Sequence, residues 1–381
     1  MLRTFGSTIV KETLETLSRI AESLMVRAML RRGTLCTRFA LMVLAAAAVF
    51  QGGCGRAAGV IFEPPENALR WPPPPDPARI HFVGTLRTDM DLKPARSFAQ
   101  GVKETLFGKD AARSMLTPYA VSMDEDNRVF VCDSNAQVVH VFNLDTREYE
   151  QWKPDETGVP FSQPVGIAYD QAGRLLVSDA VAGVIHVFDD NGSDLGTLGD
   201  EYLTKPSGLA IDPSASRLFV ADVGTHQIVV LSLDGALIGR IGERGIKPGQ
   251  FNYPTNVVVG QDGSLYVSDT LNFRVQVFDR NFQPIRQIGS KGDLPGYFSH
   301  PKGLALDSEE HLYVIDTHFE SVQIFDRMGN LLMTFGEEGH GPGQFWLPTG
   351  IYIDVDDRIW IADSYNQRLE IFSYSPPEEH P

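Results

Sequence analysis

Three features of the chain predict an all-β fold, a six-bladed β-propeller built from four-stranded antiparallel blades. One aspartate recurs at Asp133, Asp179, Asp222, Asp269, Asp316 and Asp363, with spacings of 46, 43, 47, 47 and 47 residues, periods that belong to propellers and solenoids. Each unit holds four short runs rich in β-branched and aromatic residues and bounded by Gly, Asn and Asp, the mark of strands joined by turns. The last unit lacks its fourth run, and a matching run stands ahead of the first unit.

The fifth unit shows the elements in order. His300-Pro-Lys-Gly303 opens it, Leu304–Asp307 is the first strand, and Ser308-Glu-Glu310 turns. His311–Asp316, Ser321–Asp326 and Leu331–Gly336 follow as strands two to four. Short strands with short connections pair antiparallel, and copies arranged radially bury both faces of each sheet. The first strands are nearly continuous apolar runs, such as Gly208-Leu-Ala-Ile211 and Asn256-Val-Val-Val259, as sheets covered on both sides require.

Fourth strands read apolar, two residues, apolar, Gly, at Leu195–Gly199, Ile238–Gly242, Ile285–Gly289 and Leu332–Gly336. The sixth unit has no such run after Phe372, but Ile80-His-Phe-Val-Gly84 fits it. Residues 79–86 are therefore expected to pair with the third strand of the last unit and close the ring. Residues 95–109, with Phe98, Val102, Leu106 and Phe107, read as a short helix before the first blade. The propeller spans 78–375 in this reading, with a tail at 376–381.

Tyr266–Phe278 and Trp360–Phe372, together with the linkers Gly242–Phe251 and Gly336–Phe345, resemble NHL repeats. The resemblance covers about residues 116–373. The other four units lack the Asn and Arg of these two, carrying Ala136/Val138, Ala182/Val184, Thr225/Gln227 and Phe319/Ser321 instead.

The front of the chain reads differently. Residues 39–50 are twelve apolar residues, preceded by Arg31, Arg32 and Arg38 and followed by Gln51-Gly-Gly-Cys54. A basic segment, an apolar segment and small residues form a secretory leader over 1–53, with Met29 the expected translation start. The small residues before Cys54 resemble the lipobox of bacterial lipoproteins, which implies lipid on Cys54 and anchorage of the protein in the envelope of a diderm bacterium, periplasmic or at the outer membrane. Gln51 stands where that box usually has Leu. Residues 54–77, ending in Trp71-Pro-Pro-Pro-Pro-Asp-Pro77, read as a lipidated, proline-rich tether, extended as polyproline II.

Composition narrows the chemistry. The chain carries 33 Lys+Arg against 49 Asp+Glu, net −16, and removing the first 53 residues leaves 26 against 46, net −20. Nucleic acid would be repelled. Of three cysteines only Cys132 lies in the repeats, so a disulfide framework is excluded, and no CxxC, HExxH, GxSxG or P-loop occurs. The six aspartates, one per unit, read as blade-holding groups that bond nearby amides, with Arg274 and Arg368 as their partners. His140 and His186 read as packing residues, and Cys132 as a small buried one.

Loops before first strands and after second strands share one face. The opening prolines (Pro118, Pro164, Pro206, Pro254, Pro301 and Pro348) suit strand starts. Their neighbours vary between units, as ligand-facing positions do. Tyr119, Lys205, Tyr253, Phe273, His300, Lys302, His318, Phe319 and Tyr365 are the expected ligand-binding residues. No catalytic residue, metal or cofactor is assigned. The expectation is a non-catalytic scaffold for a protein or glycan partner. Its rivals are a metal-dependent lyase or lactonase, with His226, His300 and His318 as ligands, and an accessory subunit of an envelope redox or export complex.

Overall fold

The computed structural model describes residues 59–62, 69–93 and 111–376, all within one compact unit formed by Gly59–Pro94 and Ala111–Pro381. The leader, Cys54 and the expected helix at 95–109 lie outside the described residues. Among the described residues no helix is long and apolar enough to cross a membrane.

Six blades of four antiparallel strands form the unit. Blade 1 is Pro118–Met123, Arg128–Asp133, Val138–Asn143 and Tyr149–Trp152, and blade 2 is Pro164–Tyr169, Leu175–Asp179, Val184–Phe188 and Asp194–Leu198. Blade 3 is Pro206–Asp212, Arg217–Asp222, Gln227–Ser232 and Leu237–Ile241, and blade 4 is Pro254–Val259, Leu265–Asp269, Arg274–Phe278 and Pro284–Ile288. Blade 5 is Pro301–Leu306, Leu312–Asp316, Ser321–Phe325 and Leu331–Phe335. Blade 6 takes Pro348–Ile353, Arg358–Asp363 and Arg368–Tyr374 from the C-terminal end and Ile80–Leu86 from the N-terminal end.

The closing strand is present, but its register differs by three residues from the sequence pattern. Leu86 faces Leu369 and Phe82 faces Phe372, whereas in blade 3 Ile241 faces Ile228 and Leu237 faces Leu231. Val83 and Leu86, rather than Ile80 and Val83, thus fill the two apolar positions. The observed register buries Ile80, Phe82 and Leu86 on alternate residues and carries the strand beyond the blade. There Arg70–Trp71 pairs with Ile80–His81 as a fifth strand. Trp71 packs on Phe335 and Phe372 at 5.8 and 5.7 Å between ring centroids. Residues 72–79 therefore turn the chain back instead of extending as a spacer, and residues 59–62 are also docked, with Phe62 5.8 Å from Trp360.

Apolar burial is organised as six clusters, one between each pair of neighbouring blades. The closing strand supplies two of them: Ile80 and Phe82 the core between blades 5 and 6, Leu86 that between blades 6 and 1. At the axis the first strands approach closely because small residues follow the opening prolines. A Cβ on Gly166 would lie 2.1 Å from the Ser207 carbonyl oxygen, and one on Gly350 2.5 Å from that of Tyr119. Hydroxyls stitch one blade to the next. Ser134 donates to Pro164 O, Thr317 to Pro348 O and Ser364 to Pro118 O, at 2.6, 2.7 and 2.6 Å.

Candidate functional site

Each opening proline pairs across the sheet with the repeat aspartate of its own blade, as Pro118 with Asp133 and Pro348 with Asp363. Loops before the first strand and after the second therefore meet on one face. The aspartates build that face. Asp316 accepts hydrogen bonds from the amides of Ser299, His300, His318 and Phe319 at 2.6–3.2 Å. Asp179 and Asp222 hold their own two loops in the same way. Arg274 and Arg368 donate from Nε to Asp269 and Asp363 at 2.8 and 2.7 Å and reach the carbonyls of Gln250 and Gln344, fixing the linker that precedes the blade. The carboxylates are occupied by these bonds, as blade-holding groups would be.

The turn after each second strand ends in a left-handed residue: Gln137, Gly183, His226, Phe273, Glu320 and Gln367, with φ between 51° and 73°. Because it recurs in all six blades, this conformation is turn geometry and not strain local to a site.

The predicted ligand-facing residues form local groups around the rim. Tyr253 stands edge-on to His226 at 5.0 Å, and its amide donates to His226 Nδ1 at 3.1 Å. Burial and the nearby Arg244 hold this imidazole below its ordinary pKa. His300 and His318 lie 5.8 Å apart, with Phe319 6.1 Å from His318. Phe273 is half-buried, with the Lys291 ammonium 5.1 Å from its ring centroid. Lys205 is exposed and its backbone is tied to Asp222 and Val223. Tyr119 and Lys302 line the axial channel, a cavity of about 390 Å³.

Tyr365 belongs to a group that the sequence did not disclose. It is 56% exposed and packs 5.4 Å from Trp346, itself 42% exposed. Trp346 in turn stands edge-on to His340 at 5.0 Å, and His340 Nδ1 lies 2.6 Å from Asn366 Oδ1. The available signal was positional. Trp346 is second before the opening proline, where the other units carry Leu116, Ser162, Thr204, Asn252 and Ser299. The rings concentrate over blades 3 to 6. Blades 1 and 2 present Thr117, Asn135, Gln163 and Val181 there.

His226 pairs with Tyr253 while His300 pairs with His318. Among the described residues no group of three or more His, Cys, Asp or Glu is arranged to hold a metal ion. His140 and His186 are fully buried. His140 contacts Tyr149 and Asp133, whereas both ring nitrogens of His186 lack hydrogen-bond partners. Burial pushes the Cys132 thiol up to about 12, so it is not thiolate at neutral pH.

On the opposite face a groove of about 660 Å³ is lined by Asp124, Asp170, Asp354 and other acidic residues. These three pair with Arg128, Arg174 and Arg358.

A profile of the NHL repeat matches residues 251–278 and 345–372, which hold the first three strands of blades 4 and 6 and the residues leading into them. The chain carries NHL repeats. No curated protein matches it. Solved structures do. The chain is similar to a streptogramin B lyase, at 12% identity and a TM-score of 0.52, over 68% of this chain and 94% of that one. It is also similar to an auxiliary nutrient binding protein of Bacteroides thetaiotaomicron, at 13% identity and a TM-score of 0.54, over 70% and 71%. A chain of a nidogen/laminin complex aligns at 19% identity and a TM-score of 0.50, over 66% and 89%. At these identities the shared property is the propeller fold.

Proposed function

We propose that this NHL propeller is a binding scaffold, anchored in a diderm cell envelope by lipid on Cys54, that engages a protein or glycan partner through the ring-bearing part of its rim. The carrying observation is the exposure, on one face at blades 4 and 6, of Tyr253, Trp346 and Tyr365 at 43%, 42% and 56%. Tyr and Trp anchor interfaces because they bury much apolar area and keep a polar handle. A nutrient-binding protein and a nidogen/laminin complex among proteins of this fold are consistent with a binding use.

The test replaces His300, Phe319 and Tyr365 together by alanine. Capture of the native envelope partner should fall while the melting transition stays in place, because the blade cores are untouched. Undiminished capture by the folded variant would contradict this reading. Lipidation is checked separately by radiolabelled palmitate, which should label the wild type and not Cys54→Ser.

A further inference from the structure

One side chain in the axial channel is used by neither the blade packing nor the rim. Lys302 is the second residue of the first strand of blade 5, so it enters the cavity of about 390 Å³ at the rim end. It is half-buried, and its ammonium reaches past blade 6 to within 5.7 Å of the Tyr119 ring centroid in blade 1. It is the sole basic residue lining this cavity, and among the described residues that ring is its side chain's one partner. An aromatic face offsets part of the cost of withdrawing an ammonium from water, but supplies no counter-charge.

The other charges along the cavity are negative and already engaged. Asp307 binds His311 and Tyr313, and Glu310 accepts from the Gln261 amide. A chain with net charge −16 thus keeps one unneutralised cation inside its axial channel. A single ammonium, with carboxylates further along the same channel, suits a monoanion. A dianion such as a phosphate monoester would bring a second charge that Lys302 cannot neutralise and that Asp307 and Glu310 would repel. The volume is that of a site for a small molecule.

We infer that the rim end of the channel binds a small organic monocarboxylate, which pairs with the Lys302 ammonium alongside Tyr119. This deepens the reading of that face as a binding surface and rests on it. It adds the ligand's chemical class.

Isothermal titration of the purified full-length protein with benzoate, benzamide and phenyl phosphate tests the assignment. Benzoate should bind the wild type, at least ~tenfold more tightly than Lys302→Gln, since the substitution removes a charge-assisted contact. Lys302→Arg should retain binding, and neutral benzamide should bind at least ~tenfold more weakly than benzoate. Benzoate binding equally to wild type and to Lys302→Gln, or not binding the wild type, would overturn the site. Phenyl phosphate binding more tightly than benzoate would overturn the monocarboxylate assignment. If benzoate fails while the rim triple variant still loses its partner, the channel site alone falls. If benzoate behaves as expected while that variant captures normally, the rim reading falls.

Discussion

Replacing Glu370 by glutamine should stabilise the propeller by an amount that grows with pH. Glu370 is fully buried in the third strand of blade 6, facing Ile361 across the sheet. The equivalent residues of blades 4 and 5 are Gln276 and Gln323, which face Val267 and Val314. Gln276 accepts from Gly249 N through Oε1 and donates through Nε2 to Gln250 O and Asp269. Glu370 keeps the accepted bond, from Gly343 N at 2.8 Å, but without a proton it has nothing to donate. Arg368 Nη1 is 3.0 Å from Glu370 Oε1, yet its hydrogen bond goes to His340 O, so Oε1 accepts none. Burial, only partly offset by the Arg368 charge, pushes the carboxyl up to about 8 from 4.5.

The folded state thus holds a proton that the unfolded chain releases between pH 4.5 and about 8, so stability falls as pH rises through that window. At about 1.4 kcal/mol per pH step, the loss reaches roughly 3 kcal/mol at pH 7. Urea unfolding of wild type and Glu370→Gln between pH 4 and 9 measures it. The two curves should run parallel below pH 4.5 and diverge above it, with the variant the more stable. A stability difference that does not change with pH would refute the reasoning.

Other perturbations follow from the same packing. His186 is buried with both nitrogens unpartnered, and burial holds its pKa below 6.5. The fold therefore loses stability as pH drops below 6.5, and His186→Leu should flatten that acid limb in melts between pH 5 and 7. Deleting residues 78–87 removes Ile80, Phe82 and Leu86 from two of the six cores. At about 1.5–3 kcal/mol per buried side chain, the loss rivals the whole stability of a typical domain, so calorimetry should find no cooperative transition near that of the wild type. Gly166→Ala places a methyl 2.1 Å from the Ser207 carbonyl and should lower the melting temperature, whereas Gly239→Ala, with open space around it, should change it far less.

The blade count, the strand order and the closure of the ring were legible in the sequence because the aspartate period and the missing fourth run are local patterns. The register of the closing strand was not. Ile80–Gly84 satisfies the apolar spacing, but Val83–Leu86 satisfies it too, and only the fit of Ile80 and Phe82 beside Trp71 decides between them. Docking of Trp71 was hidden in a proline run whose composition suggests extension. The hydroxyl stitches were invisible because their partners lie far apart in the chain, as Ser364 and Pro118 do. At the rim, Tyr253 and Tyr365 could be read as variable positions, but the Trp346–His340 contact needed the linker before blade 6 to fold back on itself. Lys302 was legible as a rim residue. Its contact with Tyr119, two blades further round the axis, was not.

The most direct test of the binding face is a photo-cross-linking amino acid placed, in cells, at Tyr253 or Tyr365 on the rim and at Asp234 in a turn of the opposite face. Discrete cross-linked adducts from the two rim positions and none from Asp234 are the predicted result. Adducts from Asp234 with none from the rim would contradict it.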